Sequence, residues 1–203
     1  MALKRAFDIV VASVGLVVTS PITLSIGFSM AVAYKSSPLY RQIRVGLNNK
    51  PFTIYKIKSM NDSKDEQGFL LSDERRTSRL GRLLRKTHLD ELPQLLNILK
   101  GDMSIVGPRP VHANVEESKD KKRHLVRPGL TGMVQISGKN LLSHDECLEL
   151  DHAYVDNNSL SKDFMICVRT PMSIVKFRHA PHFKESAQIS HTPNQEAQKH
   201  KID

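Results

Sequence analysis

Two cysteines, Cys147 and Cys167, are all that the sequence contains, and their spacing fits neither a metal-binding nor a redox pair. That excludes a disulfide framework, and both thiols read as small buried apolar residues of a reduced, cytoplasm-facing protein. The nine histidines include no HExxH pair, so a histidine-held metal site of that kind is absent. His88 reads as a polar surface residue. There is no Walker P-loop and no GxGxxG, so neither a P-loop NTPase nor a Rossmann enzyme is indicated. No internal repeat is visible. Charge is missing from the 26 residues Ile9 to Tyr34.

Elsewhere charge is abundant. The 203 residues carry a formal net charge of +9. The length suits one domain with a real core. The basic excess favours anionic partners, whether nucleic acid, acidic lipid or phosphorylated substrates, without choosing among them.

The uncharged segment is long enough for a spanning helix and long for a cleaved signal, so it is expected to stay in the mature protein. Pro21 lies near its middle, where a missing N–H and a clash with the preceding turn break or kink a helix. Ser20 can lend its hydroxyl to a freed backbone group. Each arm is then about 18 Å long, short of a hydrocarbon core of roughly 30 Å. Lys4 and Arg5 precede the segment, and Lys35, Arg41 and Arg44 follow it. The positive-inside rule places both ends in the cytoplasm, which suits a hairpin re-entering one leaflet. A kinked single span with a cytoplasmic catalytic part is the other option.

Beyond it, Pro38 to Gly46 and Pro51 to Met60 read as a β-hairpin. A polar loop is expected over Asn61 to Asp73. Helices are expected in "ERRTSRLGRLLRKT" and in "PQLLNILKG", the latter with Pro93 in its first turn and Gly101 at its end. "SIVGPRP" reads as extended or turning, Val111 to Leu125 as a charged helix, and "RPGLTGMVQISGKN" as a functional or tightly packed loop. Two helices follow, near Asp145 to Asn157 and Ser161 to Phe177. In the second, Lys162, Arg169 and Lys176 form one basic stripe beside apolar surface, which fits either a membrane-resting helix or an ordinary core helix, kinked at Pro171. The tail after Pro181 is polar and expected to be disordered.

The chemistry concentrates in "LRKTHLDELPQLLNILKGDMSIVGPRP". Asp90 and Glu91 are adjacent, and touching carboxylates repel, so one rises in pKa unless cations offset it. Arg85, Lys86 and Arg109 are candidates for that offset. An ionised aspartate can attack phosphorus to form an acyl-phosphate. A neighbouring glutamate can hold Mg²⁺, and arginines can bind phosphoryl oxygens in a fork. Alone, an Asp-Glu pair is commonplace on solvated helices, Lys56 and Lys58 are an exposed basic strand edge, and Arg109 sits on a stiff loop.

Together these segments resemble the bacterial sugar transferase family, the small monotopic phosphoglycosyl transferases. "KRAFDIVVASVGLVVTSP", "QIRVG", "YKIKSM", the long acidic motif, "RPGLTGMVQISGKN" and "LELDHAYVDNNSLSKDF" stand in the family order over roughly Met1 to His179. The resemblance implies an α+β, helix-rich fold: a re-entrant anchor over 1–35 broken at Ser20 and Pro21, a cytoplasmic catalytic domain over 36–180 with a small hairpin and amphipathic surface helices, and a tail over 181–203. It implies transfer of a sugar-1-phosphate from a UDP-sugar to polyprenyl (undecaprenyl) phosphate, as the first membrane step of glycoconjugate synthesis. Asp90 would be the nucleophile that forms a covalent phospho-sugar and releases UMP, and Glu91, with Asp90, would hold Mg²⁺. Arg85, Lys56 and Arg109 would bind phosphate, and Pro108, Arg109 and Pro110 the nucleotide. The implied place is the cytoplasmic face of a bacterial inner membrane. The implied partners are substrate and lipid rather than nucleic acid, with room for downstream glycosyltransferases and a homo-oligomer. Lys58 and Ser59 depart from the family's Arg-Thr, Met133 from its Trp or Leu, and Lys139 from its Arg, which bears on substrate preference. The rival readings are a membrane-tethered basic binding protein and an inactive scaffold of the family.

Overall fold

The computed structural model describes residues 2–112, 120–138 and 141–177. The uncharged segment forms one helix, α1 (Ala2–Tyr34). The interruption expected at Ser20 and Pro21 is not seen, since helical structure continues through both. The reason is local. Pro21 has no N–H to give the carbonyl four residues back, and the Ser20 hydroxyl donates to that carbonyl, of Val17, at 2.9 Å. Thr19, Ser25 and Ser29 bond back to helix carbonyls in the same way.

One face of α1 is bound to the rest of the protein at both ends. Arg5 Nη1 and Nη2 donate to the carbonyls of Ile98 (2.6 Å) and Leu99 (2.8 Å). Those carbonyls lie in the last turn of α4 (Gln94–Lys100), where a cation also meets the helix dipole. Buried Asp8 accepts from Ser104 Oγ and the Ile105 N–H, both at 2.9 Å. Near the far end, Met30 packs on Ile57 and Leu84, and the Tyr34 hydroxyl lies 3.0 Å from the Ser59 carbonyl. The other face shows Val10, Val14, Val17, Val18, Leu24 and Phe28 to the surroundings. By length and composition this helix is able to cross a membrane.

The expected hairpin is present. Strands β1 (Leu39–Val45) and β2 (Pro51–Ile57) pair antiparallel, from Leu39 opposite Ile57 to Val45 opposite Pro51. Asn48 and Asn49 in the turn take left-handed backbone, which asparagine tolerates. The hairpin is fastened to α4 by Asn97, whose Oδ1 accepts from the Tyr55 N–H (3.1 Å) and whose Nδ2 donates to the Thr53 carbonyl (2.7 Å). A buried amide thus satisfies the free edge of β2. The helix expected in "ERRTSRLGRLLRKT" is split by extended backbone at Thr77 and Ser78 into the short α2 (Asp73–Arg76) and α3 (Arg79–Thr87), the latter capped by Ser78 Oγ accepting from the Gly81 N–H.

A second sheet differs from expectation. β3 (Ser104–Val106) and β4 (Gly129–Thr131) pair in parallel, so part of the glycine-rich "RPGLTGMVQISGKN" is strand, and α5 (Met133–Ile136) follows it. Of the charged helix expected over Val111 to Leu125, Val111 and His112 are not helical and Arg123–Leu125 form a 3₁₀ turn. The rest of that span, Lys139, and the tail expected to be disordered lie largely or wholly outside the described residues.

The last two helices are α6 (His144–Asp156), with a Ser143–Glu146 capping box, and α7 (Leu160–Lys176), which contains Pro171. α7 has three faces. Asp163, Ile166 and Ser173 are buried, Phe164, Val168, Met172 and Val175 are exposed, and Lys162, Arg169 and Lys176 run between the two. Ile166 joins Ala12, Leu95, Ile98, Val106 and Tyr154 in the core. Beside that core is a polar knot. Lys4 Nζ donates to the Val106 carbonyl (3.1 Å), the Tyr154 hydroxyl (3.1 Å) and Asp163 (2.5 Å). Burial and the hydrogen bond to Asp163 push the Tyr154 phenol far up, so it stays a donor to Asp163 at 2.7 Å.

Replacing Asp163 by alanine strands the Lys4 ammonium beside apolar core, which is expected to cost about 3 kcal/mol of stability. Chemical denaturation of the protein in detergent measures it. A loss below about 1 kcal/mol would mean that water already reaches Lys4 well enough to replace the carboxylate.

Candidate active site

The acidic pair lies on a tight joint between two helices. α3 ends at His88, which takes left-handed backbone (φ 56°) and turns its N–H back to the carbonyls of Leu84 and Arg85. The 3₁₀ turn Leu89–Glu91 follows, and Pro93 then opens α4. Both carboxylates are turned inward, Asp90 at 7% exposure and Glu91 at 8%.

Three other elements supply cations. Lys56 on β2 reaches Glu91 Oε1 at 2.7 Å, and Arg109, from the turn after β3, reaches the same oxygen at 3.4 Å. His88 Nδ1 lies 4.0 Å from Glu91 Oε2. Arg44 on β1, with Gln94, completes the wall of the small cleft that Lys56, Glu91, Arg109 and Pro110 line. The two acids respond in opposite directions. Burial and the Glu91 charge raise the Asp90 carboxyl, against the pull of Lys56 and His88. Burial alone would raise Glu91 as well, but Arg109 and Lys56 hold it at about 2. Glu91 is therefore a fixed anion, and Asp90 is an acid poised higher. Asp90 Oδ1 is buried with no hydrogen-bond partner among the described residues. Environments that split two neighbouring carboxyls mark functional sites.

The Pro-Arg-Pro turn is clamped at each carbonyl. Pro108 accepts from the Gly129 N–H (2.8 Å), Arg109 from Arg123 Nη2 (3.2 Å) and Pro110 from Arg44 Nη1 (3.2 Å). Arg123 is itself paired with buried Asp151 at 2.6 Å. Only glycine permits the approach of this turn to β4, because a Cβ on Gly129 would lie 2.1 Å from the Gly107 nitrogen and 2.4 Å from the Thr131 carbonyl oxygen.

Of the residues singled out in the sequence, Glu91, Lys56, Arg109 and Pro110 meet at this cleft, and Asp90 is buried next to Glu91 without being part of the lining. Pro108 holds the turn to β4. Arg85 is elsewhere: its exposed side chain donates to Met60 Sδ at 3.2 Å, and its described contacts do not reach either carboxylate. Lys58 turns to Asp62. The sequence pointed to no site role for Gln94, and it marked Arg44 only as a cation flanking the apolar segment and His88 only as a polar surface residue. For Arg44 a signal existed, since strand alternation places it on the same face as Gln42, opposite the strand that carries Lys56.

Comparison with known proteins gives the arrangement a family. A model described as bacterial sugar transferase matches residues 1–177. The chain belongs to the bacterial sugar transferase family. It is 45% identical over 181 residues to an uncharacterized sugar transferase of Bacillus subtilis, EpsL, with 86% of this chain and 88% of that protein covered. It is 37% identical over 195 residues to the undecaprenyl-phosphate galactose phosphotransferase of Salmonella typhimurium and 37% identical over 186 residues to a UDP-glucose:undecaprenyl-phosphate glucose-1-phosphate transferase of Klebsiella pneumoniae. This transferase spans 40% of the Salmonella protein and 39% of the Klebsiella one, against 86% and 84% of its own length.

The clamp on the Pro-Arg-Pro turn can be tested without substrate. Gly129→Ala forces a Cβ into backbone and is expected to cost about 3 kcal/mol, whereas Gly27→Ala, whose Cβ would meet only Pro38 at 3.8 Å, is expected to be neutral. Thermal unfolding of both variants checks this, and equal midpoints would show that the turn has room to move.

Proposed function

We propose that this chain is a phosphoglycosyl transferase, moving a sugar-1-phosphate from a UDP-sugar to polyprenyl phosphate and releasing UMP. The observation that carries the reading is the buried, unpartnered Asp90 Oδ1 beside a fixed Glu91 anion and a cationic wall. The names of the Salmonella and Klebsiella relatives support the substrate classes, undecaprenyl phosphate and, for the latter, a UDP-sugar.

In this mechanism an Asp90 oxygen attacks the β-phosphorus of the nucleotide sugar. A P–O bond forms, the bond from that phosphorus to the bridging oxygen breaks, and UMP leaves with its electron pair. The aspartyl phospho-sugar is then attacked by a phosphate oxygen of the lipid. The aspartyl P–O bond breaks and the Asp90 carboxylate returns. Lys56 and Arg109 neutralise phosphoryl charge and orient the group for in-line displacement. Among the described residues no cluster of three or more acidic, histidine or cysteine ligands occurs. Mg²⁺ still fits, because it commonly takes one or two carboxylates and completes its shell with water and substrate phosphate. Glu91 through Oε2 and Asp90 beside it would hold the ion, which would shield diphosphate charge.

The lipid substrate requires a membrane surface. The exposed face of α1 and the apolar face of α7, edged by Lys162, Arg169 and Lys176, are suited to one bilayer surface. Both ends of α1 contact the same globular unit, and about 50 Å of helix crossing a bilayer would separate them. These contacts support a monotopic attachment to the cytoplasmic face of the inner membrane, in which the exposed face of α1 meets lipid without crossing it.

Asp90→Asn is expected to abolish UMP release from every member of a UDP-sugar panel, with unfolding unchanged. Wild-type protein given the UDP-sugar alone should gain the mass of a phospho-sugar and follow ping-pong kinetics. Intersecting initial-rate lines without an adduct would point to direct transfer in a ternary complex. For topology, Ala2→Cys should resist an impermeant thiol reagent in intact cells and react after permeabilisation. Labelling in intact cells would mean that α1 spans the membrane.

A further inference from the structure

The cleft contains one cation more than its described anionic contacts engage. Lys56 and Arg109 both contact Glu91, whereas Arg44 makes no ion pair with a carboxylate among the described residues. Its Nη1 donates to the Pro110 carbonyl at 3.2 Å and its Nη2 to Gln42 Oε1 at 2.7 Å. Its Nε is buried and has no hydrogen-bond partner among the described residues. A guanidinium has five N–H groups, and two are used here. Burial and the nearby Arg109 charge push the Arg44 guanidinium below its ordinary value. The Glu91 charge offsets this only in part, and a cation without an ion pair beside another cation in a half-buried cleft is unfavourable until an anion arrives.

A clamp on Pro110 alone does not explain this arrangement. A carbonyl needs one donor, and a neutral amide would supply it without burying charge. The planar fork matches phosphoryl oxygens instead. The side chain also lines the same wall as Lys56 and Arg109, which the proposed reaction already uses for phosphate.

We propose that Arg44 is a phosphate-binding residue that takes, through Nε–H and its unused Nη–H groups, a phosphoryl oxygen of a substrate. The inference rests on the transferase reading above. Two sources share this chemistry, the diphosphate of the nucleotide sugar and the phosphate of the lipid acceptor, and kinetics can separate them. In a ping-pong scheme kcat/KM for each substrate reports its own half-reaction.

The experiment uses the full chain in detergent with the UDP-sugar that supports UMP release and with undecaprenyl phosphate. Arg44→Gln is expected to lower kcat/KM for one of the two by about 10- to 100-fold, the range for one hydrogen bond to a charged group. Arg44→Lys should recover part of that loss, and the other half-reaction should change little. A loss in the UDP-sugar arm assigns the donor diphosphate, and a loss in the lipid arm assigns the acceptor phosphate. Unchanged values in both arms overturn the inference. So does an equal fall in both with a lowered unfolding midpoint and no recovery in Arg44→Lys, which would make Arg44 only a clamp on the Pro-Arg-Pro turn. Those two outcomes leave the transferase reading intact, provided that wild-type protein turns over and Asp90→Asn does not. A wild-type protein that releases UMP from no UDP-sugar overturns both.

Discussion

An ionised carboxylate as buried as Glu91 has to be met by cations, because leaving it unpaired away from water costs several kcal/mol. Much of the architecture answers that demand. The hairpin brings Lys56, the turn after β3 brings Arg109, and the joint between α3 and α4 presents the acid itself. The supporting contacts fix these three elements against one another. Asn97 fastens β2 to α4, Gly129 and Arg123 hold the Pro-Arg-Pro turn, and Arg44 joins that turn to β1. With Glu91 fixed as the anion, the neighbouring Asp90 is the carboxyl whose pKa rises, and one of its oxygens has no hydrogen-bond partner among the described residues.

The long apolar helix is part of the same construction. Its first turns carry Lys4 and Arg5, which look like topological flanking charges in the sequence, and Asp8, and all three are engaged inside the protein. Lys4 reaches the Val106 carbonyl, three residues before Arg109, so the segment that supplies apolar surface also steadies the strand leading to the site. α7 closes the same knot through Asp163 and turns its apolar stripe outward. An exposed apolar surface and the cleft around Glu91 are thereby tied through one short chain of contacts.

Local signals in the amino-acid order were enough for the apolar segment, the hairpin, the two flanking helices of the acidic motif and the two C-terminal helices. Each is marked by residues close in the chain: strand alternation, Ser caps, Pro93 and Gly101 at the ends of α4. The acidic pair and the Pro-Arg-Pro were legible for the same reason, and the ordered motifs resembled one family. Tertiary structure alone decided the rest. β3 and β4 pair across an intervening segment, and β4 begins at a glycine that locally signals a loop, so no short window reveals the parallel sheet. Arg85 is six residues from Glu91 yet points to Met60, while Arg44 is 47 positions before Glu91 and lines its cleft. Proximity in sequence does not set side-chain direction, which depends on the face each element buries. Pro21 shows the same limit in a helix. Its lost N–H was readable, but whether the helix stopped depended on where the Ser20 hydroxyl turned, and it turned to the Val17 carbonyl.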